Sequence, residues 1–382
     1  MFDRRAFLGG AAATGAVLLA APHLAVAQAA TDRRFVFIIQ RGAADALGTL
    51  APTGDPAFAQ VRGAFAEDFA SGARMGDFTL HPNLAEIARL HAAREALFVH
   101  AVASPYRERS HFDGQNVLET GGNAAYALRD GWMNRLLGLL PPAESRAIAV
   151  SATVPMVLRG SHEVSSYAPS ALPDASDDLL ARVSALYERD AELHAAWQQA
   201  LQTRAIAGDL AQAGGRNAAA TGTLAARLLT GEGARIAVIE TGGWDTHAGQ
   251  RARLGIQLRG LDAMIAALKT GLGPDWANTL VIVATEFGRT VAPNGTGGTD
   301  HGTGSMAMLL GGAVAGGRVI ADWPGLGNAA LHEGRDLKPT IDLDLLIASA
   351  MAEHYRLDPG RAGRTLFPNI ASARPLEGLI RA

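Results

Sequence analysis

The chain has no cysteine. Core burial, helped at most by a bound metal, must hold it together, because disulfides are closed to it even in an oxidising compartment. It also lacks an excess of charge of either sign: 34 Lys and Arg stand against 37 Asp and Glu, a formal net charge of −3. That balance gives no electrostatic case for nucleic acid. A phosphate-cradling P-loop, the Gly-rich dinucleotide fingerprint and the Gly-x-Ser-x-Gly nucleophile elbow are all missing. So are internal repeats, low-complexity linkers and a second domain boundary. The apolar run at residues 9–21 is too short and too rich in Ala and Gly for a committed membrane span.

What is present begins with an export pattern. Arg4-Arg5 followed by Ala6-Phe7-Leu8 reads as a twin-arginine signal, and Ala25-Val26-Ala27 as a small-residue cleavage site. Residues 1–27 are therefore expected to be removed. Their loss takes away two Arg and one Asp and moves the formal net charge from −3 to −4. The expected partner during export is the twin-arginine translocase, and the expected destination is the periplasm or the medium. No stable membrane span is expected after cleavage. Residues 28–382 are long enough for a single α/β domain with a full core.

Continuous apolar runs predict buried strands at 35–39, 96–102, 147–158, 236–239, 279–283 and 305–310. Pro155 argues for an edge or a bend in the third of these. Helical patterns cover 82–95, a stretch from near Phe112 to Thr120, 132–140 and 342–355. Leu254, Leu258, Leu261, Ile265 and Leu268 lie at helical spacing on another. Residues 174–230 are Ala-rich and read as a helical insertion, and 318–326 as a loop.

Polar clusters follow the apolar runs. Asp45 comes after the first, Ser110-His111 after the second, Glu240 and Asp245-Thr246-His247 after the fourth, and Glu286 with Arg289 after the fifth. Asp300-His301 sits in the Gly-rich stretch 294–304. In an open parallel sheet such positions gather outside the carboxyl ends of the strands, where ligands bind. Asp45, Asp245, Glu286 and His301 are expected to converge, with Glu240 behind them. Mixed carboxylate and imidazole donors suit one or two divalent ions, with Zn, Mn, Mg and Ca all open. The candidate ligands are Asp45, His111, Glu240, Asp245, His247, Glu286, Asp300 and His301. Ser110, beside a histidine at a predicted helix start, is the candidate nucleophile, and it also reads as a helix cap. Arg289 or Arg41 could hold the oxygens of a tetrahedral anion. His100, inside an apolar run, reads as a core histidine.

Arg-Ser-His-Phe at 109–112, Gly-Gly-Trp-Asp-Thr-His at 242–247, Glu-Phe-Gly-Arg-Thr at 286–290, Asp-His-Gly at 300–302 and Asp-Trp-Pro-Gly-Leu at 322–326 resemble the exported domain of unknown function 1501 family. That family is similar to the alkaline phosphatase and sulfatase superfamily. The resemblance implies an alkaline-phosphatase-like three-layer α/β/α sandwich with a mainly parallel sheet and a metal-bound active site. It matches Asp45 to the superfamily's first acidic ligand, Glu240 and Asp245 to a Glu and Asp five apart in one ligand loop, and His301 to a late histidine. Glu286-Phe287 stands where the superfamily has Asp-His. Counting back from Thr120 puts His111 in the nucleophile's place, so that either Ser110 attacks or His111 is a ligand. The function implied is hydrolysis of a small anionic ester, phosphate or sulfate. The alternative is a non-catalytic periplasmic protein that keeps the fold to bind a ligand or partner.

Overall fold

Seven consecutive buried residues, Arg34–Gln40, form the central strand β1. Its apolar side chains alternate between two cores: Phe35, Phe37 and Ile39 face one, Val36 and Ile38 the other. A strand covered on both faces needs an unbroken apolar run. The computed structural model describes residues 32–168, 177–187, 190–207, 217–231, 233–370 and 373–381. The expected signal, with Arg4-Arg5 and Ala25-Val26-Ala27, lies outside the described residues, as do parts of the expected insertion.

The remaining strands in chain order are β2 (Leu50–Ala51), β3 (Ala73–Met75), β4 (Phe78–Leu80), β5 (Ala96–Ala103), β6 (Ala147–Ala149), β7 (Ser165–Ser166), β8 (Ile236–Thr241), β9 (Thr279–Ala284), β10 (Ser305–Leu310), β11 (Arg318–Ile320) and β12 (Ile341–Asp342). A nine-stranded sheet runs β11-β5-β10-β9-β1-β8-β6-β7, with β12 also on β5. β2, β4 and β3 make a small antiparallel sheet beside it. Pairings within the large sheet are parallel except those of β10, which runs against both β5 and β9. The amino end of β10 therefore lies at the same edge as the carboxyl ends of β1, β5, β8 and β9. The Asp300-His301 loop reaches that edge by leading into a reversed strand, not by following a parallel one.

Helices cover both faces, giving three layers. The helices Trp132–Leu137, Leu343–Tyr355 and Pro359–Leu366 supply Trp132, Leu346, Ile347, Met351 and Leu366 to one core. Ala218–Leu229 and Gln250–Leu272 supply Leu224, Leu228, Leu258, Leu261, Ile265 and Leu268 to the other. Asp342 starts the Leu343–Tyr355 helix by accepting from the amides of Asp344 and Leu345, the usual way to satisfy orphan N–H groups. The described parts of 174–230 are the helices Asp177–Tyr187, Ala191–Ala207 and Ala218–Leu229.

Two strand expectations are corrected. Of 147–158, only Ala147–Ala149 is strand; Met156–Leu158 is a 3-10 turn entered through the extended Pro155. Arg318–Ile320, read as loop, is a short, partly exposed strand against β5. His100 is buried, as expected of a core residue, with Nε2 against the Leu50 carbonyl and Nδ1 accepting from the Ala101 amide. Among the described residues no helix is long and apolar enough to cross a membrane.

Candidate metal centre

Four segments meet at the common edge: the turn after β1, the helix after β5, the loop after β8, and the connection from β9 to β10. Gly42 lets two of them touch. It has φ +117, and a Cβ there would lie 2.5 Å from the Asp245 amide. Gly298 does the same for the Asp-His loop, where a Cβ would come within 2.2 Å of the His247 carbonyl.

Three histidines are held alike. His111 Nδ1 lies 2.8 Å from Glu286 Oε1, His301 Nδ1 lies 2.9 Å from the Arg109 carbonyl, and His247 Nδ1 lies 3.0 Å from Asp300 Oδ1. Each partner is an acceptor, so each Nδ1 carries the proton and each neutral ring presents its Nε2 lone pair inward. The inward atoms crowd together. His247 Nε2 is 2.9 Å from His301 Nε2 and 3.0 Å from Asp245 Oδ1, and His301 Nε2 is 3.4 Å from the same oxygen. His111 Nε2 lies 3.5 Å from Asp245 Oδ2 and, among the described residues, is buried without a hydrogen-bond partner. Lone pairs and a carboxylate facing one another repel unless a cation stands among them. His111, Asp245 and His301 offer donor atoms within 4.8 Å of one another, and His247 adjoins two of the three. This donor set fits a divalent ion that accepts imidazole and carboxylate together, such as Zn, Mn or Fe. An acceptor behind each ligating imidazole is the usual second element of such centres.

Without an ion, protons answer the same conflict. The hydrogen bond to Glu286 raises the pKa of His111 against the opposing effect of burial, with the Glu286 and Asp245 charges adding to the rise. Burial lowers that of His301, and the neighbouring His111 charge lowers it further. Burial works to raise Asp245, but the hydrogen bond and charge of Arg289, with the charges of His247 and His111, hold it below the usual carboxylate range. Phe287 stacks on the His111 ring at 5.1 Å and contacts His301 at 5.3 Å. It fixes both planes as an apolar wall.

The candidates expected from the sequence divide. His111, Asp245, His247 and His301 converge. Asp300 stands behind His247 and also accepts from Asn294 Nδ2 at 3.0 Å. Glu286, expected as a ligand, is fully buried with both oxygens engaged. Oε1 accepts from the Gly42 amide at 2.8 Å, from His111 Nδ1 and from Gln115 Nε2 at 3.2 Å, and Oε2 from Thr285 Oγ1 at 3.0 Å. Its role is to orient His111. Burial pushes its pKa up, yet these donors, His111 first, keep it low.

Asp45 is also not among the converging donors. It caps the helix Ala46–Thr49 through the Leu47 amide, pairs with the buried Arg62, and accepts from Gln250 Nε2. Glu240 is bound by Arg41, which also bonds Glu119 at 2.9 Å. Arg289, its side chain fully buried, donates to Asp245 Oδ1 at 2.6 Å, to Thr299 Oγ1 at 3.0 Å and to the Thr299 carbonyl. It steadies Asp245 and is not a spare anion binder.

Ser110 stands at the N-cap position of the helix His111–Thr120 but makes no capping bond with its side chain. Its amide donates to Tyr106 Oη at 3.0 Å. The first-turn amides of that helix are thus left without a side-chain cap next to His111, an arrangement that favours an anion. Gln115 had no signal as a site residue in the sequence, and Arg109, in the Arg-Ser-His-Phe motif, had one only for its charged side chain. Gln115 acts through a hydrogen bond one helical turn from His111, and Arg109 through its backbone carbonyl, which no residue type announces.

No curated protein is matched by the chain. Solved structures to which it is similar include the C-terminal periplasmic domain of EcEptC from Escherichia coli in complex with Zn, at 9% identity and TM-score 0.35 over 74% of this chain and 73% of that one. Others are an alkaline phosphatase from the Antarctic bacterium TAB5, at 13% identity and TM-score 0.37 over 75% and 94%, and the phosphonate monoester hydrolase SpPMH from Silicibacter pomeroyi, at 12% and 0.37 over 90% and 76%. The family model described as protein of unknown function (DUF1501) matches residues 93–367, and the chain belongs to that family.

Proposed function

We propose that this chain is an exported, metal-dependent hydrolase of phosphate or sulfate esters with its ion held by His111, His247, His301 and Asp245. The observation that carries the reading is the convergence of three Nε2 atoms and one carboxylate at the carboxyl edge of the sheet. An ion bound there supplies Lewis acidity and lowers the pKa of a coordinated water toward neutrality. The protein's own part is orientation and charge. Glu286, Asp300 and the Arg109 carbonyl hold the imidazoles by their far nitrogens, and Arg289 keeps Asp245 ionised. The uncapped first turn of the His111–Thr120 helix supports an anionic group beside the ion. Among the described residues no base is hydrogen-bonded to Ser110 Oγ, which favours attack by water over a covalent seryl intermediate.

The test is metal analysis of protein purified without chelator, combined with assays on aryl phosphates, phosphodiesters and aryl sulfates. Metal in the protein with turnover of one class supports the proposal, and Ser110→Ala is expected to keep both. Abolished turnover in Ser110→Ala with metal retained overturns the water route and makes Ser110 the nucleophile. Metal without turnover of any ester favours a binding protein. Export through the twin-arginine pathway is tested by replacing Arg4 and Arg5 with Lys, which should leave the precursor in the cytoplasm. Undiminished export of that variant overturns it.

A further inference from the structure

We infer that Asp336 is the positioning residue for the ligand His301, an inference that rests on the metal centre proposed above. Asp336 is fully buried and far in sequence from every ligand. Its two oxygens hold two arginines. Oδ2 accepts from Arg109 Nε at 3.0 Å and Nη2 at 2.7 Å, and Oδ1 accepts from Arg335 Nε at 2.9 Å. Each of those arginines then reaches His301 by a different route. Arg109 offers its backbone carbonyl to His301 Nδ1, and Arg335 donates to the His301 carbonyl.

The Arg109 carbonyl points that way because Arg109 has φ +64, a left-handed backbone that a non-glycine residue keeps only when its surroundings fix it. The clamp on its guanidinium is that fixture. The second acid on Arg109, Glu333, is largely exposed and so holds it weakly. Asp336 is itself anchored by backbone bridges to Thr290 and His332, and the neighbouring Arg289 bridges to His301. One buried carboxylate thus fixes both the ring tautomer and the main chain of a ligand it does not touch.

The experiment compares wild type with Asp336→Asn, which keeps the shape but loses the charge and turns one acceptor into a donor facing an arginine. Cobalt(II) affinity is measured by chelator competition, the cobalt absorption bands report the coordination, and side-chain nitrogen NMR of the metal-free protein reports the His301 tautomer. The expected result is a ~10–100-fold loss of cobalt affinity, the usual effect of removing a partner behind a ligand. Altered bands and a mixed His301 tautomer should accompany it. Arg109→Lys keeps the charge but cannot donate in the same fork, so it should show the same tautomer change even if Asp336→Asn fails to fold. Glu333→Gln should stay near wild type. Wild-type affinity and an Nδ1-protonated His301 in both Asp336→Asn and Arg109→Lys overturn the role of Asp336. Failure of the wild type to bind cobalt overturns instead the centre on which the inference rests.

Discussion

Asp45 and Asp245 follow neighbouring parallel strands, β1 and β8, at the same edge of the sheet, yet they do different things. The Asp45 carboxylate is almost fully buried and faces Arg62, itself buried, as a fixed internal cation. The Asp245 side chain is 42% exposed; Arg289 takes one oxygen, and the other lies 3.5 Å from His111 Nε2, which has no hydrogen-bond partner among the described residues. Position after a strand brings both to the ligand-binding edge. Both acids have a buried arginine, so what separates a structural acid from a candidate ligand is whether the chain already engages both carboxylate oxygens, as it does in Asp45 and not in Asp245.

That contrast can be broken most forcefully at Asp45. Asp45→Ala leaves Arg62 as a buried uncompensated charge and should cost about 3–5 kcal/mol of stability in urea unfolding, with metal affinity little changed in the folded protein. A variant that keeps its stability but loses metal would reverse the assignment of the two acids. Next in size is His301→Ala. Loss of a ligand should lower metal affinity by more than the ~10–100-fold expected for a partner behind one, read by competition with a coloured chelator. Glu286→Gln should fall within that ~10–100-fold range, since it weakens the acceptor behind His111 and removes no ligand. An effect as large as that of His301→Ala would make Glu286 a ligand after all.

The smallest effects are in pH, and they sharpen the same comparison between structural groups and candidate ligands. Burial lowers the pKa of His100 to about 4, below its unfolded value of ~6.5. Its contribution to stability is complete above pH ~6.5 and is lost as pH falls toward about 4. In metal-free protein the His111 pKa is raised instead, chiefly by Glu286. Its contribution is complete below pH ~6.5 and is lost as pH rises through the folded value. Urea midpoints of chelated protein across pH should therefore lose an alkaline decline in His111→Ala. An unchanged profile would mean that His111 is not charged in the empty centre.

The central strands were legible because burial on both faces writes an unbroken apolar run. β1, β5, β8, β9 and β10 begin and end within a residue or two of the predicted spans. Strand direction leaves no such mark, so the reversal of β10 was invisible although it brings Asp300-His301 to the site. The three-residue β11 was missed because a short, half-exposed edge strand has neither run nor alternation. Among the site residues, Asp245, His247 and His301 stood out by type and spacing. Asp45 and Glu286 looked equivalent to them because partners distant in the chain decide their roles: Arg62 for Asp45, and the Gly42 amide and His111 for Glu286. Asp336 carried no motif, and Arg109, though part of the Arg-Ser-His-Phe motif, gave no sign that its carbonyl is the group in use, because a backbone acceptor and the acid that steadies it act through geometry alone.

The four converging donors come from residues 111, 245, 247 and 301, on segments that leave β5 and β8 and enter β10. An ion gripping them would close long loops of chain that are open in the unfolded state, and the entropy of such closure grows only slowly with length. Binding would then be a reversible cross-link between distant parts of the sheet. It would stabilise the fold according to free ion concentration, as RT ln(1 + [L]/Kd), and unlike a disulfide it could be withdrawn by a chelator. The thermal midpoint would become a measure of metal supply, tuned from outside the chain in a protein with no cysteine to lock itself.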